Sequence, residues 1–318
     1  MKYGQKNIVV TGATGFLGTS LLELMRRAGY ERVTPLCSRD YQLLEQSEVR
    51  RLYRERRPEV VIHLAALSGG IKVNRDRPAE FFYQNLLMNT LMMHEAHLAG
   101  VEKYVTCMGG CSYPARATSP IKEEAMWEGY PQAESAPYSV AKKMNIVQAE
   151  AYRRQYGLNA VVLVPGNLYG PHDNYNLNDA HVIPALIRKV FEAQRRGDMR
   201  ITAWGSGKPT RDFVYVRDVA QALLTALETY DQPEIINISS GVQTTIKDLY
   251  DLVTELCGFT GAVEWDSSKP DGQMRKGFDV TRMKQLLKFE CATSLRAGLT
   301  ETIAWFKRSY DVPGAVRL

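Results

Sequence analysis

The first half of the chain alternates short apolar runs with longer amphipathic stretches. Residues 7–10, Asn-Ile-Val-Val, are rich in β-branched side chains and predict a strand, after which a helix runs to Arg27. Gly29 follows as a left-handed cap for that helix. Further strands are predicted at 32–36, 60–64, 104–106 and 160–164, with helical patterns at 48–55, 79–98 and 137–156. Strands that alternate with helices at this spacing imply parallel βαβ units. The expected fold is therefore α/β, a Rossmann doubly wound parallel sheet.

After Gly170 the rhythm changes. Polar, turn-rich stretches at 171–180 and 204–211 flank a predicted helix at 182–196. Strand patterns at 213–216 and 235–238 sit among helices at 218–229 and 245–257, and a closing helix covers 295–308. We expect a dinucleotide-binding domain over 1–170, joined by a later strand from within 213–240. Residues 171–318 would then form mainly a smaller, interleaved substrate-binding lobe.

Composition narrows the function classes. A 318-residue chain with 45% hydrophobic and 24% charged residues buries a core of its own, which excludes disorder and small disulfide scaffolds. The net charge of +5 is spread over pairs such as Arg50-Arg51, Arg56-Arg57 and Arg153-Arg154. No basic stripe interleaves with aromatics, so nucleic acid is not expected as a partner, whereas an anionic small molecule suits the balance. Five widely spaced cysteines without Cys-x-x-Cys pairs point to neither a disulfide framework nor a metal site. No apolar run approaches the ~20 residues of a membrane span, and the first strand begins too early to leave room for a leader. The expected compartment is a reducing cytoplasm.

The chemistry starts at Val10-Thr11-Gly12-Ala13-Thr14-Gly15-Phe16-Leu17-Gly18, where a strand runs straight into a helix through three glycines. The first glycine permits a tight turn and the second a close approach to a pyrophosphate. The third removes a side chain where helix meets strand. Free N–H groups at the helix start would hold the phosphates. At the end of the second strand, Leu36-Cys37-Ser38-Arg39-Asp40 places Ser38 and Arg39 where a 2′-phosphate would sit. That favours NADP; Asp40, slightly late for the ribose-binding acid, keeps NAD open.

Pro137-Tyr138-Ser139-Val140-Ala141-Lys142 opens a predicted helix and puts Tyr138 and Lys142 on one face. A phenol titrates ordinarily near pH ~10, and an adjacent ammonium together with the positive charge of an oxidised nicotinamide would favour the phenolate. Tyr138 is therefore a candidate general acid for carbonyl reduction, or base for alcohol oxidation, with Lys142 tuning it and holding the ribose hydroxyls.

The glycine turn and the Tyr-x-x-x-Lys pair together resemble the extended short-chain dehydrogenase/reductase superfamily, the NAD-dependent epimerases and dehydratases. Asn85 matches that branch's structural asparagine. His63-Leu64-Ala65-Ala66 resembles its adenine-flanking strand. A narrower resemblance, to the GDP-L-fucose synthase subfamily, is carried along nearly the whole chain. Its segments include Ala66-Leu67-Ser68-Gly69-Gly70-Ile71, Cys111-Ser112-Tyr113-Pro114 and Asn167-Leu168-Tyr169-Gly170-Pro171-His172-Asp173-Asn174. Others are His181-Val182-Ile183-Pro184, Trp204-Gly205-Ser206-Gly207 and Lys269-Pro270-Asp271-Gly272 with Arg275-Lys276.

This resemblance implies an NADP(H)-dependent oxidoreductase/epimerase acting at C4, with C3 and C5 in play, of a GDP-linked 4-keto-6-deoxy sugar. Cys111 and His181 would be the epimerisation base and acid, and Asn167 with His181 would also border the cofactor. Val182, Arg188 or Lys189, Trp204, Arg211 and Lys276, again with Asn167, would hold the nucleotide diphosphate and its base. The resemblance also implies a homodimer through helices 79–98 and 137–156. Two positions depart from the pattern: Gly109 stands in place of a hydroxyl residue, and Gly166 in place of a threonine. They leave open a nucleotide-sugar 4-oxidase, dehydratase or epimerase with tightly bound NAD(P), and a non-catalytic dinucleotide-binding protein.

Overall fold

A computed structural model describes residues 1–269 and 271–318; Pro270, within the Lys269–Gly272 segment quoted above, lies outside the described residues. The first half contains β1 (Ile8–Thr11), α1 (Phe16–Arg27), β2 (Val33–Leu36), α2 (Gln46–Arg56) and β3 (Val60–His63). It continues through α3 (Ile71–Asp76), α4 (Pro78–Leu98), β4 (Lys103–Cys107), α5 (Ala136–Tyr156) and β5 (Ala160–Pro165). The second half runs β6 (Asn167–Tyr169), α6 (Val182–Arg196), β7 (Arg200–Trp204), β8 (Thr210–Tyr215), α7 (Val216–Thr229) and β9 (Ile236–Ile238). It closes with β10 (Gln243–Thr245), α8 (Ile246–Cys257), β11 (Ala262–Asp266), β12 (Arg275–Lys276), α9 (Thr281–Leu286) and α10 (Leu295–Ser309).

Among the described residues, six strands form one parallel sheet in the order β2-β1-β3-β4-β5-β9. Every residue of β1 and β3 is buried, as expected of strands covered on both faces. One face packs α1 and α7 through Leu21, Met25, Val219 and Leu223. The other packs α2, α4 and α5 through Leu52, Met92 and Ile146. The strand order reverses between β1 and β3, the point at which doubly wound sheets bind ligands beyond the strands' carboxyl ends.

The second lobe has its own core, in which Leu186 and Val190 of α6 meet Leu249 of α8 and Phe306 of α10. Its strands were the least visible in the sequence. Residues 236–238 extend the main sheet, whereas the strand starting at Thr210 lies in a separate sheet with β6, β10 and β12. In the same way, the turn-rich stretch at 204–211 contains the end of β7 and the start of β8. These strands span two to six residues and β7 alternates exposed with buried positions; β8 alone carries a buried apolar run, Phe213–Tyr215, the part legible as a strand in the sequence.

Candidate active site

The dinucleotide turn is a close backbone contact. Gly12 has φ of +66°, and a Cβ there would lie 2.7 Å from the Leu64 carbonyl carbon and the Ala65 nitrogen. A Cβ on Gly18 would lie 2.2 Å from the Gly12 oxygen. Only glycine permits α1 to start so near the strand it follows. Gly15 caps α1 without any side-chain hydrogen bond, so the first-turn N–H groups stay free for an anion. Thr14 and Gly15 are exposed on the turn, with Phe16 and Leu17 half-buried behind them.

Leu64, Ala65 and Ala66 follow β3 along the opposite wall. Ala65 N–H donates to Thr11 Oγ1 at 3.3 Å. His63 lies beneath, 2.7 Å from Thr11 Oγ1 and 3.0 Å from Asn89 Oδ1. Burial lowers its pKa to about 3, so it is a neutral structural imidazole. Asn85 holds the same loop, accepting from Leu67 N–H at 3.1 Å and donating to the Leu67 carbonyl at 2.9 Å.

At the end of β2, the Asp40 carboxylate accepts from Cys37 N–H at 2.6 Å, and that bond holds its pKa below the ordinary range. The acid is committed to its own turn, while Ser38 and Arg39 are exposed beside it.

Tyr138 stands in the first turn of α5, where Pro137 fits without losing a hydrogen bond. Its ring meets Phe81 of α4 edge-on, with centroids 6.2 Å apart. Lys142 follows one turn later and is buried. A Cβ on Gly109 would lie 3.9 Å from Tyr138 Oη and 3.1 Å from Cys111 Sγ, so the end of β4 delivers Cys111 directly beside the phenol. Lys276, on β12, feels Cys111 on one side and Arg211 on the other. Tyr138, Lys142, Cys111, Lys276 and Arg211 therefore converge.

Burial sets the protonation states here. It raises the Tyr138 pKa, and the neighbouring Cys111 and Cys107 thiols raise it further. It also lowers Lys142 to about 8, an effect that Cys107 and Cys111 oppose. The sequence suggested a phenol acidified by lysine. In the structure desolvation dominates, and the resting tyrosine is a neutral phenol, the form that protonates a carbonyl. Cys107, which the sequence reading passed over, is pushed up to about 12 by the same burial.

The diphosphate candidates fall on two walls. Arg211 of β8 and Lys276 of β12 are register partners in a parallel pair, and burial lowers the pKa of both. Arg211 Nη1 donates to the Thr210 and Gln273 carbonyls at 2.8 and 2.6 Å, and no carboxylate among the described residues neutralises it. Two desolvated, adjacent cations make a strong anion site. Asn167 steadies β8 by donating to the Asp212 carbonyl at 2.9 Å.

The second wall is the start of α6. His181 caps that helix through its backbone, leaving the imidazole free. Although the residue keeps exposed surface, protein crowds its ring and lowers its pKa, while Asp179 opposes the shift. Val182 is exposed next to it. Arg188 is committed to Glu192 at 2.7 Å and to the Tyr175 carbonyl at 3.0 Å. Lys189 instead points at Trp204, its Nζ 5.7 Å from the indole centroid. Lys269 approaches the same ring at 5.9 Å. Trp204 is 65% exposed, which rules out a core role and leaves a flat aromatic surface for a base.

The fold and this site define a dinucleotide-binding protein with a tyrosine–lysine pair and a separate anion site. Residues 8–239 match the NAD dependent epimerase/dehydratase family, and the chain belongs to it. Among its relatives is the GDP-L-fucose synthase of Sinorhizobium fredii, 38% identical over 95% of each chain. A GDP-L-fucose synthetase from Naegleria fowleri, solved bound to NADP, matches with a TM-score of 0.90 and 29% identity, covering 98% of this chain and 96% of that one. A GDP-6-OMe-4-keto-L-xylo-heptose reductase from Campylobacter jejuni matches with a TM-score of 0.89 and 26% identity, covering 96% and 99%.

Because Lys142 titrates near pH 8, its charge is present below that value and lost as pH rises through it. Catalysis through a phenolate stabilised by this ammonium should therefore weaken above about pH 8. In Lys142→Arg the cation persists, and the alkaline limb should move upward by more than one pH unit. Identical kcat/KM profiles for the two proteins would assign the limb to another group.

Proposed function

We propose that the protein is an NADP(H)-dependent oxidoreductase/epimerase acting at C4 of a GDP-linked keto sugar. The observation that carries this reading is the convergence of Tyr138, Lys142 and Cys111 with the paired cations Arg211 and Lys276, in a fold that carries a dinucleotide turn. The residues present fit NADP. Gly12 and Gly18 let the turn close against β3 and α1 start directly from it, the α1 N-terminus is free, and Ser38 and Arg39 are exposed where a 2′-phosphate belongs. When bound, NADP(H) supplies or accepts the hydride at C4. NADP bound to the Naegleria fowleri structure supports the choice over NAD.

Tyr138 gives its phenolic proton to the C4 oxygen in reduction and takes it back in oxidation. Lys142, on the same helix face, stabilises the phenolate and holds the ribose. Cys111 and His181 exchange protons at the carbons flanking C4, which the keto group acidifies. Arg211 and Lys276 neutralise the diphosphate, and Trp204 with Val182 and Lys189 borders the nucleoside. Residues 171–318 mainly supply this second half of the site. GDP-L-fucose synthases among the relatives and a GDP-linked heptose reductase among the structural neighbours support a GDP-sugar as the small-molecule partner.

Among the described residues no helix is long and apolar enough to cross a membrane, and all five cysteines are free thiols. Free thiols suit a reducing cytoplasm. Long helices α4 and α5 expose Leu98, Val147 and Tyr156, which supports a homodimer through these helices.

Tyr138→Phe should reduce turnover of a GDP-4-keto sugar by about 10²–10⁴-fold while leaving NADPH affinity unchanged. Full turnover would remove Tyr138 from proton transfer. Arg39→Ala should weaken NADPH by roughly ten- to a hundredfold, the worth of one charge-assisted hydrogen bond, and leave NADH unaffected. Equal loss for both cofactors would argue against a 2′-phosphate clamp. Sedimentation velocity should give a dimer for the wild type and a monomer for a Leu98→Glu, Val147→Glu double variant. A monomeric wild type would discard the proposed interface.

A further inference from the structure

Cys111 sits beyond the last bond that ties its strand to the sheet. The pairing of β4 with β5 ends where Met108 N–H donates to the Leu163 carbonyl at 3.0 Å. Gly109 and Gly110 follow, the residue type with the most conformational freedom, and then a single turn of 3₁₀ helix over Gly110–Ser112 that no side chain caps. One backbone bond, from Ser112 N–H to the Gly109 carbonyl at 2.9 Å, closes that turn. Such a segment has little stiffness of its own, yet it carries the thiol that stands beside Tyr138.

Contacts from outside the turn hold it, and they are not equivalent. The Phe278 ring covers Gly110, where a Cβ would lie 2.4 Å from its Cζ. Tyr113 Oη donates to Asn237 Oδ1 at 2.6 Å, which anchors the far side of the turn to β9. Neither contact involves the helix that carries Tyr138.

A third contact does. Ser112 is buried, and its hydroxyl donates to the Ser139 carbonyl at 3.1 Å. Ser112 directly follows Cys111, and Ser139 directly follows Tyr138. A single hydrogen bond therefore joins the turn of the thiol to the helix of the phenol, one residue away from each reacting side chain. The Ser139 carbonyl lies inside α5, where the helical ladder supplies a donor of its own, so it does not depend on Ser112 for a partner. What the bond fixes is the placement of one element against the other.

We infer that Ser112 is a positioning residue: its bond to the Ser139 carbonyl holds the Cys111 thiol in place against Tyr138, so that both groups act on one bound sugar. The inference rests on the reading of Cys111 and Tyr138 proposed above. In that reading the Cys111 thiolate takes a proton from a carbon flanking C4. The electron pair left behind moves into the bond to C4, and the negative charge moves onto the C4 oxygen, to which the Tyr138 phenol donates. His181 then returns a proton to the carbon. The thiolate and the phenol serve adjacent atoms of one enolate, so a displacement of either relative to the other is felt directly.

Removing the Ser112 hydroxyl should leave the fold intact, because no buried donor is stranded and the Ser139 carbonyl keeps its helical bond. The wild type, Ser112→Ala and Cys111→Ser are compared by NMR in D2O with GDP-4-keto-6-deoxymannose and NADP, a pairing that permits proton exchange and withholds the hydride. Ser112→Ala should slow deuterium entry at the carbons flanking the carbonyl by roughly ten- to a hundredfold, the effect of displacing a positioned group by about 1 Å. Its NADPH affinity should be unchanged, and its NADPH oxidation should fall no further than that of Cys111→Ser, since Tyr138 keeps its place on α5. Exchange by Ser112→Ala at the wild-type rate, with Cys111→Ser impaired, would overturn the positioning role alone. So would a loss of NADPH affinity in Ser112→Ala, or a loss of NADPH oxidation beyond that of Cys111→Ser, either of which marks a general structural role. Exchange by Cys111→Ser at the wild-type rate would overturn the reading of Cys111 itself, and the inference with it.

Discussion

The structure depends on one close backbone contact, the seating of the Gly12 turn against the end of β3. Because Gly12 carries no Cβ, the Leu64–Ala65 backbone comes within a distance that any side chain would block. That contact keeps the ends of β1 and β3 adjacent where the strand order reverses, and it aims the free N–H groups of α1 beyond those ends. The loop after β3 is then fixed from the other side by Asn85. Gly70, farther along the loop, donates to the Asp179 carbonyl at 2.9 Å, which ties the first lobe to the approach to α6. The cofactor wall and the His181 wall are thus connected by a short run of backbone contacts.

Burial does the electrostatic tuning within this frame. Tyr138 and Lys142 are both driven toward their neutral forms by desolvation, in opposite directions on the pH scale. Near neutral pH the phenol keeps its proton while most of the lysine keeps its charge, so a protonated phenol and a cation coexist one helical turn apart. Arg211 and Lys276 show the same economy in another form. Paired side by side with no carboxylate bridging to either among the described residues, they carry an unmet demand for negative charge.

Much of this was legible in the sequence, and for identifiable reasons. The parallel sheet, the glycine turn and the Tyr138–Lys142 pair depend on local periodicity and short spacing, which a linear chain displays openly. The short strands of the second lobe do not, because β12 pairs with β8 across about sixty residues and spans only Arg275–Lys276. Arg188 and Lys189 were indistinguishable as neighbours in sequence. The helix face separates them: one guanidinium is tied to Glu192, and the ammonium is turned to Trp204. Spacing reveals the cation near Tyr138 and hides the depth of burial that raises its pKa in the unliganded chain.

The glycines make the same point about what a residue type can mean. Gly12 is required by conformation and close approach, Gly110 by the ring of Phe278, Gly166 by Ser239 with the same ring behind it, and Gly109 by none of these. In a linear reading all of them are small residues near strand ends, and the departures at 109 and 166 look alike. Three-dimensional packing divides them, since Phe278 is more than a hundred residues away in the chain and reaches only Gly110 and Gly166. A missing side chain that the fold has filled reflects packing; at Gly109 a Cβ would meet only the end of Cys111 at 3.1 Å and the edge of Tyr138 at 3.8–3.9 Å, and the backbone is extended, so neither clash with a rigid neighbour nor conformation asks for the glycine. The same substitution therefore has a packing reason at one position that it lacks at the other.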